Sequence, residues 1–518
     1  MRKKGEPTIV NDMKLFVDHL WSKIDQIRSV FSFLVSLETR FPEGEIYLVG
    51  GAVRDLLLGR ETKDYDFLVR GIPDAHLKDF LAQHGKVNWV GKSFGVYKFM
   101  PNGIDLEEQI DIALPRTERS FLKGGGRRDF EVQSDAALPV EEDLRRRDFT
   151  INAIAADIKR KSLLDPFGGI KDLKAGLLRA VGDPTQRFAE DTSRLLRGLR
   201  FACQFQFHFE EKTWSALRAA IGALNAKRED GNHIVPREII AKEFIKAIAA
   251  DPVGAFDLWD ESGAFAELIP ELLRMKGCPQ PEIYHREGDV WTHTRLALSV
   301  LASSAFQAEF HEPYDAEAAV AVLFHDIGKP YTLQTPERDG VDRIRFNNHD
   351  QVGAKMARGI AIRLKLSTFP KGSRYHINEE MLAWLIEKHL ILVHGEVDQM
   401  RAATVEKLFL NPQRPGHKLL QLIFSDGSAT IPPSGTPQLV AYHRLKERIG
   451  AMEAMAISRA RIPPPLLSGE EVMALLGLPP GPEVGRYLSL IREEQLSGRL
   501  ADRDAARRFL LERRKQHG

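Results

Sequence analysis

Between Met13 and Leu37 the apolar residues Phe16, Leu20, Trp21, Ile24, Ile27, Phe31 and Leu34 recur every three or four positions. That spacing predicts one amphipathic helix serving as packing material. From Glu45 to about Asp165 the texture changes to short β-type runs (IYLV, YDFLV, VYKFM, QIDIAL) divided by Gly, Asp and Pro, with helical stretches such as LKDFLAQHG between them. After Gly169 the apolar positions follow a helical period almost to the end, broken by Pro and Gly around 277 to 281 and 430 to 437. The expected class is α+β: a head with a small mixed sheet, followed by an all-helical remainder. The expected divisions are an N-terminal helical extension (1–44), the head (45–170), a helical segment (171–280), a second helical domain (281–430) and a helical tail (431–518). No fixed-period repeat is visible, and one low-complexity loop runs from Lys123 to Arg128.

Size and charge narrow this picture only in part. A chain of 518 residues exceeds one compact core. Its 73 Lys and Arg nearly cancel its 72 Asp and Glu, so any surface for a polyanion must be local. Two cysteines, Cys203 and Cys278, exclude a disulfide framework and suit a reducing compartment; Cys203, in LRFACQF, reads as a core residue. The start, MRKKGEPTIVNDM, is basic without a following apolar run, and no stretch approaches 18 uninterrupted apolar residues. A soluble cytoplasmic protein is expected.

The first chemistry-bearing segment is IYLVGGAVRDLLLGRETKDYDFLV. A strand ending in Gly50-Gly51 lets backbone approach a triphosphate with no Cβ in the way, and Arg54 in the next turn can neutralise phosphate charge. Asp64 and Asp66, two apart in a predicted strand, point to one face and can hold a pair of magnesium ions about 4 Å apart. A DxD alone is commonly a solvated strand end; the combination with the glycine turn is what carries weight. Asp111, in QIDIALPRTE, is either a third supporting carboxylate or a surface strand acid. Taken together, Gly-Gly, Arg and Asp-x-Asp in a strand-turn-helix-strand context resemble the class II tRNA nucleotidyltransferase and bacterial poly(A) polymerase family.

Further on, EEDLRRRDFTINAIAAD places three arginines before an apolar helix start, with Asp148 and Asn152 at i and i+4. The block resembles the family's RRDFTINA motif. By that resemblance Arg147 contacts the nucleotide phosphates or sugar and Asp148 fixes the arginine. In AEDTSRLLRGLRFACQF, the residues Asp191, Arg194, Arg197 and Arg200 fall at i, i+3, i+6 and i+9, a slowly turning helical stripe with Asp191 and Arg194 as neighbours. Such a pair offers an acceptor and fixed donors to the Watson-Crick edge of cytosine or adenine, although an i,i+3 Asp/Arg pair is more often a surface ion pair. Glu190-Asp191-Thr192-Ser193-Arg194 is similar to the family's base-selecting EDxxR, with Thr192 where a proline is frequent. The resemblance implies untemplated addition of CMP and AMP from CTP and ATP to a tRNA 3′ end, with Mg2+ on Asp64 and Asp66.

A second group, His293, His325-Asp326, His349, His389 and Asp426, lies mostly on predicted helices. Imidazoles and carboxylates in this order can converge on one or two divalent transition metals that activate water. The order H, HD, D resembles the HD phosphohydrolase superfamily and implies hydrolysis of phosphomonoesters or cyclic phosphodiesters, here as cleaning of damaged RNA ends. The whole order looks like nucleotidyltransferase head, helical neck and body for nucleotide selection and RNA binding, then HD domain. Three rivals stand beside full CCA addition: a CC-adding or A-adding enzyme; a poly(A) polymerase, disfavoured because VGKSFGVYKFM replaces its GRRF-type segment; and an HD-type hydrolase or RNA-binding protein with a vestigial head. The basic C-terminal RLADRDAARRFLLERRKQ reads as a solvated helix or a contact for tRNA phosphates.

Overall fold

A computed structural model of the chain describes residues 13–90, 96–104, 106, 109–120, 130–393, 397–458 and 464–517. The loop from Lys123 to Arg128 and part of VGKSFGVYKFM lie outside the described residues. The chain divides into two compact units, Met1–Pro270 and Glu271–Gly518.

In the first unit the expected single N-terminal helix is two, α1 (Met13–Val30) and α2 (Ser32–Arg40), parted at Phe31. Phe31 leaves helical geometry at φ −94°, ψ 72°, and its ring is buried edge-on against Tyr65. The apolar stripe continues across the break, with Leu20, Ile24, Ile27 and Leu34 all buried, which is why periodicity alone reads it as one element.

The sheet has seven strands: β1 (Glu45–Val49), β2 (Asp66–Arg70), β3 (Gly85–Val90), β4 (Val96–Pro101), β5 (Ile110–Ala113), and, after the separate hairpin β6 (Arg116–Ser120) and β7 (Phe130–Ser134), β8 (Ala155–Asp157) and β9 (Ser162–Leu164). Their order is β3-β4-β5-β2-β1-β8-β9, antiparallel except for the β2/β5 pair, so the sheet is mixed and the α+β expectation is borne out. The helix α3 (Gly51–Leu57) follows β1, and α4 (Asp74–His84) leads into β3. Beyond α5 (Val140–Arg145) and α6 (Gly169–Ala175) the unit becomes helical: α7 (Pro184–Glu190), started by Asp183 accepting from the Gln186 amide at 2.8 Å with Pro184 in the first turn, then α8 (Ser193–Phe205).

The second unit is helical around a core of residues such as Leu298, Leu323, Leu385 and Leu422. The remainder of the described chain is helical, as periodicity predicts, apart from two short strand pairings, Leu177–Leu178 with His208–Phe209 and Leu333–Gln334 with Arg345–Phe346. The last helices (Gly469–Leu476, Pro482–Leu496 and Arg503–His517) bury Val472, Leu476, Val484, Ile491, Ala506 and Leu510 among themselves. No helix among the described residues is long and apolar enough to cross a membrane.

Candidate functional site

The first unit gathers its chemistry where β1 turns into α3. Gly50 sits at φ +72°, ψ −134°, a region that residues with a Cβ almost never occupy. A Cβ there would lie 2.5 Å from Arg147 Nη1 and 3.5 Å from Asp66 Oδ2. One point therefore brings together the glycine turn, a carboxylate and a guanidinium. Gly50→Ala should lower stability by about 1 to 3 kcal/mol and push Arg147 out of place. The check is a thermal melt together with nucleotide affinity, and unaltered nucleotide binding in a folded variant would count against this geometry.

The spacing predicts Asp64 and Asp66 in one strand, but Asp64 falls outside it: β2 begins at Asp66, where pairing with β5 starts. Asp64 lies exposed on the approach. Asp66 stands in register with Asp111 on β5, which in turn is opposite Lys98 on β4, its ion-pair partner at 2.5 Å. Burial, then the charges of Asp64 and Asp111, push Asp66 up to about 6 against the opposing pull of Arg147. A carboxylate raised by the charges beside it in this way fits a divalent cation, whose charge relieves the repulsion.

Several sequence-predicted pairings fall differently. Arg54 is buried and turned inward: it donates to Asn152 Oδ1 at 2.5 Å and to both oxygens of Asp55, with its guanidinium over the rings of Phe201 and Phe205 at 5.2 and 4.6 Å. It steadies Asn152 rather than meeting phosphate. Asp148 and Asn152 do not share a helix face, because α5 ends at Arg145 and Asn152 belongs to a single 3-10 turn, Thr150–Asn152. They still meet, through Asn152 Nδ2 donating to Asp148 Oδ1 at 2.8 Å.

Nor does Asp148 fix Arg147. That task falls to Asp143, whose fully buried carboxylate accepts from Arg147 on one oxygen and Arg146 on the other. Asp148 pairs instead with Arg197 at 2.6 Å. Burial opposes the ionisation of Asp148, but Arg197 and Asn152 hold it well below the usual carboxylate range. Asp191 and Arg194 are likewise not helical neighbours, since the chain leaves α7 at Glu190 and re-enters a helix at Ser193. Asp191 accepts from the Ser193 amide and hydroxyl, while Arg194 donates to Glu190, to the Arg187 carbonyl and to the Arg146 carbonyl. Arg200 is taken by Glu243 and by Gln204.

In the second unit the structure brings together every residue the sequence singled out. His293 comes from the helix Val290–Leu301, His325 and Asp326 from the end of Ala316–Phe324, His349 from the start of His349–Leu364, His389 from the end of Glu379–Lys388, and Asp426 from Gly416–Ala429. Asp326 stands in the middle. Its Oδ2 is 3.2 Å from His325 Nε2 and 3.8 Å from His293 Nε2, and its Oδ1 is 3.4 Å from His349 Nε2 and 3.9 Å from His389 Nε2. Asp426 Oδ1 is 3.0 Å from His293 Nε2.

The Nδ1 atoms of His325, His349 and His389 face the carbonyls of Val322, Phe346 and Ile386 at 2.7, 2.8 and 2.6 Å. A carbonyl can only accept, so the proton sits on Nδ1 and the Nε2 lone pair points inward. The Nε2 atoms of His349 and His389 are buried with no hydrogen-bond partner. Burial, and then the neighbouring His325 and His349, lower His389 to about 4, keeping it neutral. Orphaned inward lone pairs around a shared carboxylate are a donor set that fits one or two transition-metal ions. Gly328 backs the His349 helix so closely that a Cβ would strike the His349 carbonyl.

Asp143, Lys98 and Glu243 are absent from the sequence reading, as are Lys329, which pairs with Asp326 at 2.7 Å, and Glu287 beside His293; Glu190 enters it only as part of EDxxR, not as the partner of Arg194. Asp143 has a local signal, three and four positions before the arginines it holds, and so does Lys329, three positions after Asp326.

Comparison with known proteins fits this geometry. A family model for the poly A polymerase head domain matches residues 46–179, and one for the HD domain matches residues 290–423. A multifunctional CCA protein of Nitrosococcus oceani is 37% identical over 365 residues, 70% of this chain and 78% of that protein. An A-adding tRNA nucleotidyltransferase of Deinococcus radiodurans is 33% identical over 484 residues, 91% of this chain and 95% of that protein. The crystal structure of the Bacillus stearothermophilus CCA-adding enzyme in complex with CTP shares the fold with a TM-score of 0.58 at 22% identity, covering 98% of this chain and 99% of that one.

Proposed function

This chain belongs to the tRNA nucleotidyltransferase family, and from that premise we propose that it completes or repairs the CCA end of tRNA from CTP and ATP in the cytoplasm, without a nucleic-acid template. The meeting of the Gly50 turn, Asp66 and Arg147 at one point carries the reading. Asp64 and Asp66, supported by Asp111, would hold magnesium, which when bound favours attack of the RNA 3′-hydroxyl on the α-phosphate and offsets charge on the leaving pyrophosphate. Gly50 leaves backbone open to the triphosphate, and Arg147, anchored by Asp143, offers its guanidinium to phosphate or sugar. Asp191 and Arg194 face the base: Ser193 fixes the carboxylate, and Glu190 with two carbonyls fixes the guanidinium, so the acceptor and donors are set before substrate arrives. Arg197 and Arg200 hold this helix in place through Asp148 and Glu243.

The His/Asp cluster of the second unit would hold a divalent transition metal, which when bound supplies an activated water for hydrolysis of phosphomonoesters or cyclic phosphodiesters at RNA ends. Lys329, paired with Asp326, places a cation beside the cluster where a phosphate group can be met.

One observation favours a narrower activity: the A-adding relative matches along 91% of this chain, the multifunctional one along 70%. Labelled CTP and ATP supplied with tRNA transcripts ending before CCA, after C and after CC separate the readings. Extension of all three to CCA is expected. Use of ATP alone, on the CC end alone, would make the chain an A-adding enzyme, and no incorporation at all would overturn both.

A further inference from the structure

We propose that Glu287 is the positioning residue that orients His293 and strengthens it as a metal ligand, an inference that rests on the metal reading of the second unit. Three of the four inward imidazoles are oriented by backbone carbonyls. His293 differs: its Nδ1 lies 2.9 Å from Glu287 Oε1. An ionised carboxylate only accepts, so Nδ1 carries a proton that it donates to Glu287; Nε2 faces Asp426 at 3.0 Å and Asp326 at 3.8 Å, where a bound metal would take its lone pair in place of a proton shared with Asp426. A carbonyl does no more than fix the ring. A carboxylate also feeds negative charge into it, making Nε2 the more basic donor.

The remaining contacts of Glu287 point the same way. Its side chain is fully enclosed, Oε1 also accepts from His285 Nδ1 at 2.6 Å, and Oε2 accepts the Ile431 amide at 2.9 Å. His285 stands edge-on to the His293 ring, with centroids 5.1 Å apart. Ile431 follows the helix that carries Asp426, so one carboxylate ties the His293 side of the cluster to the segment leaving Asp426. His285, Glu287 and His293 are close enough to suggest a metal site of their own. Their spacings of 2.6 and 2.9 Å are those of N–H donated to oxygen, so the three satisfy one another with protons.

The test is Co2+ binding to the full-length chain, followed by the visible d–d spectrum, with excess Mg2+ to fill oxygen-only carboxylate sites. Glu287→Gln keeps the shape but cannot accept on both sides at once, since its amide nitrogen must face either the imidazoles or the Ile431 amide. It should weaken Co2+ binding about ten- to hundredfold, the usual effect of removing such a partner, and shift the spectrum. His285→Gln, which leaves the Glu287 to His293 bond in place, should weaken binding by less. Wild-type affinity and spectrum in Glu287→Gln would overturn the proposal, as would equal losses in both variants, which would mark a merely structural contact. Failure of the unaltered chain to bind Co2+ would instead overturn the metal reading beneath it. Melting of the metal-free proteins checks folding; should Glu287→Gln not fold, Glu287→Asp, which keeps the charge but withdraws it from Nδ1, is read in the same way.

Discussion

Changing Asp64 and Asp66 together to alanine will lower incorporation of CMP and AMP at tRNA ends by about a thousandfold or more. Asp66 stands on β2 beside Asp111 and close to Arg147, at the point where the glycine turn opens. Removing the pair would take away two of the three carboxylates proposed to hold the cation and leave Asp111 alone. Electrostatic stabilisation of that kind is worth several kcal/mol, and about 4 kcal/mol is a thousandfold. The fold should survive, because Asp64 is exposed and Asp66 is relieved of a charge that its neighbours oppose. Gel resolution of labelled products measures the loss. A double variant within tenfold of the unaltered protein would remove these carboxylates from the reaction.

The second large effect is expected at Asp326. Its two oxygens divide the histidines between them, Oδ2 toward His293 and His325 and Oδ1 toward His349 and His389, so Asp326→Asn weakens both halves of the cluster at once. Hydrolysis of phosphate esters should fall by about a thousandfold, and the bound metal measured by elemental analysis should fall with it. Stability should drop as well. Lys329 is enclosed and, among the described residues, is left with Gln280 as its polar partner once the carboxylate is gone. Breaking such a buried pair costs about 3 kcal/mol, or about 6 to 12 °C in the melting of a unit this size. Retained metal and retained hydrolysis in Asp326→Asn would refute the shared-carboxylate geometry.

The parts of this structure that the sequence disclosed are those written within one element or in widely separated fixed letters. The runs IYLV, YDFLV, VYKFM and QIDIAL became β1, β2, β4 and β5, and the six His/Asp positions of the second unit came together. The failures have a common cause. Spacing of three or four residues means adjacency only inside an unbroken helix, yet Arg147 and Asp148 lie beyond the end of α5, and Asp191 lies between α7 and α8. Ala155 and Ala156 follow a block that reads as a helix start, but they form β8 because small side chains fit at zero exposure beside β1. Arg54 looks like a phosphate ligand until Phe201 and Phe205, from a distant helix, close over it. Glu287 sits in a loop six residues before His293, a distance with no periodic meaning.

The bonds that link Arg54 to Asn152, Asn152 to Asp148 and Asp148 to Arg197 also bear on how the chain is made. The first spans 98 residues and the last 49. A ribosome that has released everything up to residue 170 has delivered the whole sheet, but Asp148 at that moment is a carboxylate bound for the interior without its cation. The composition change near 170 is therefore no place to cut. A fragment ending there should stay loose and prone to aggregate, and the head becomes a finished object only as α8 emerges and brings Arg197 with it.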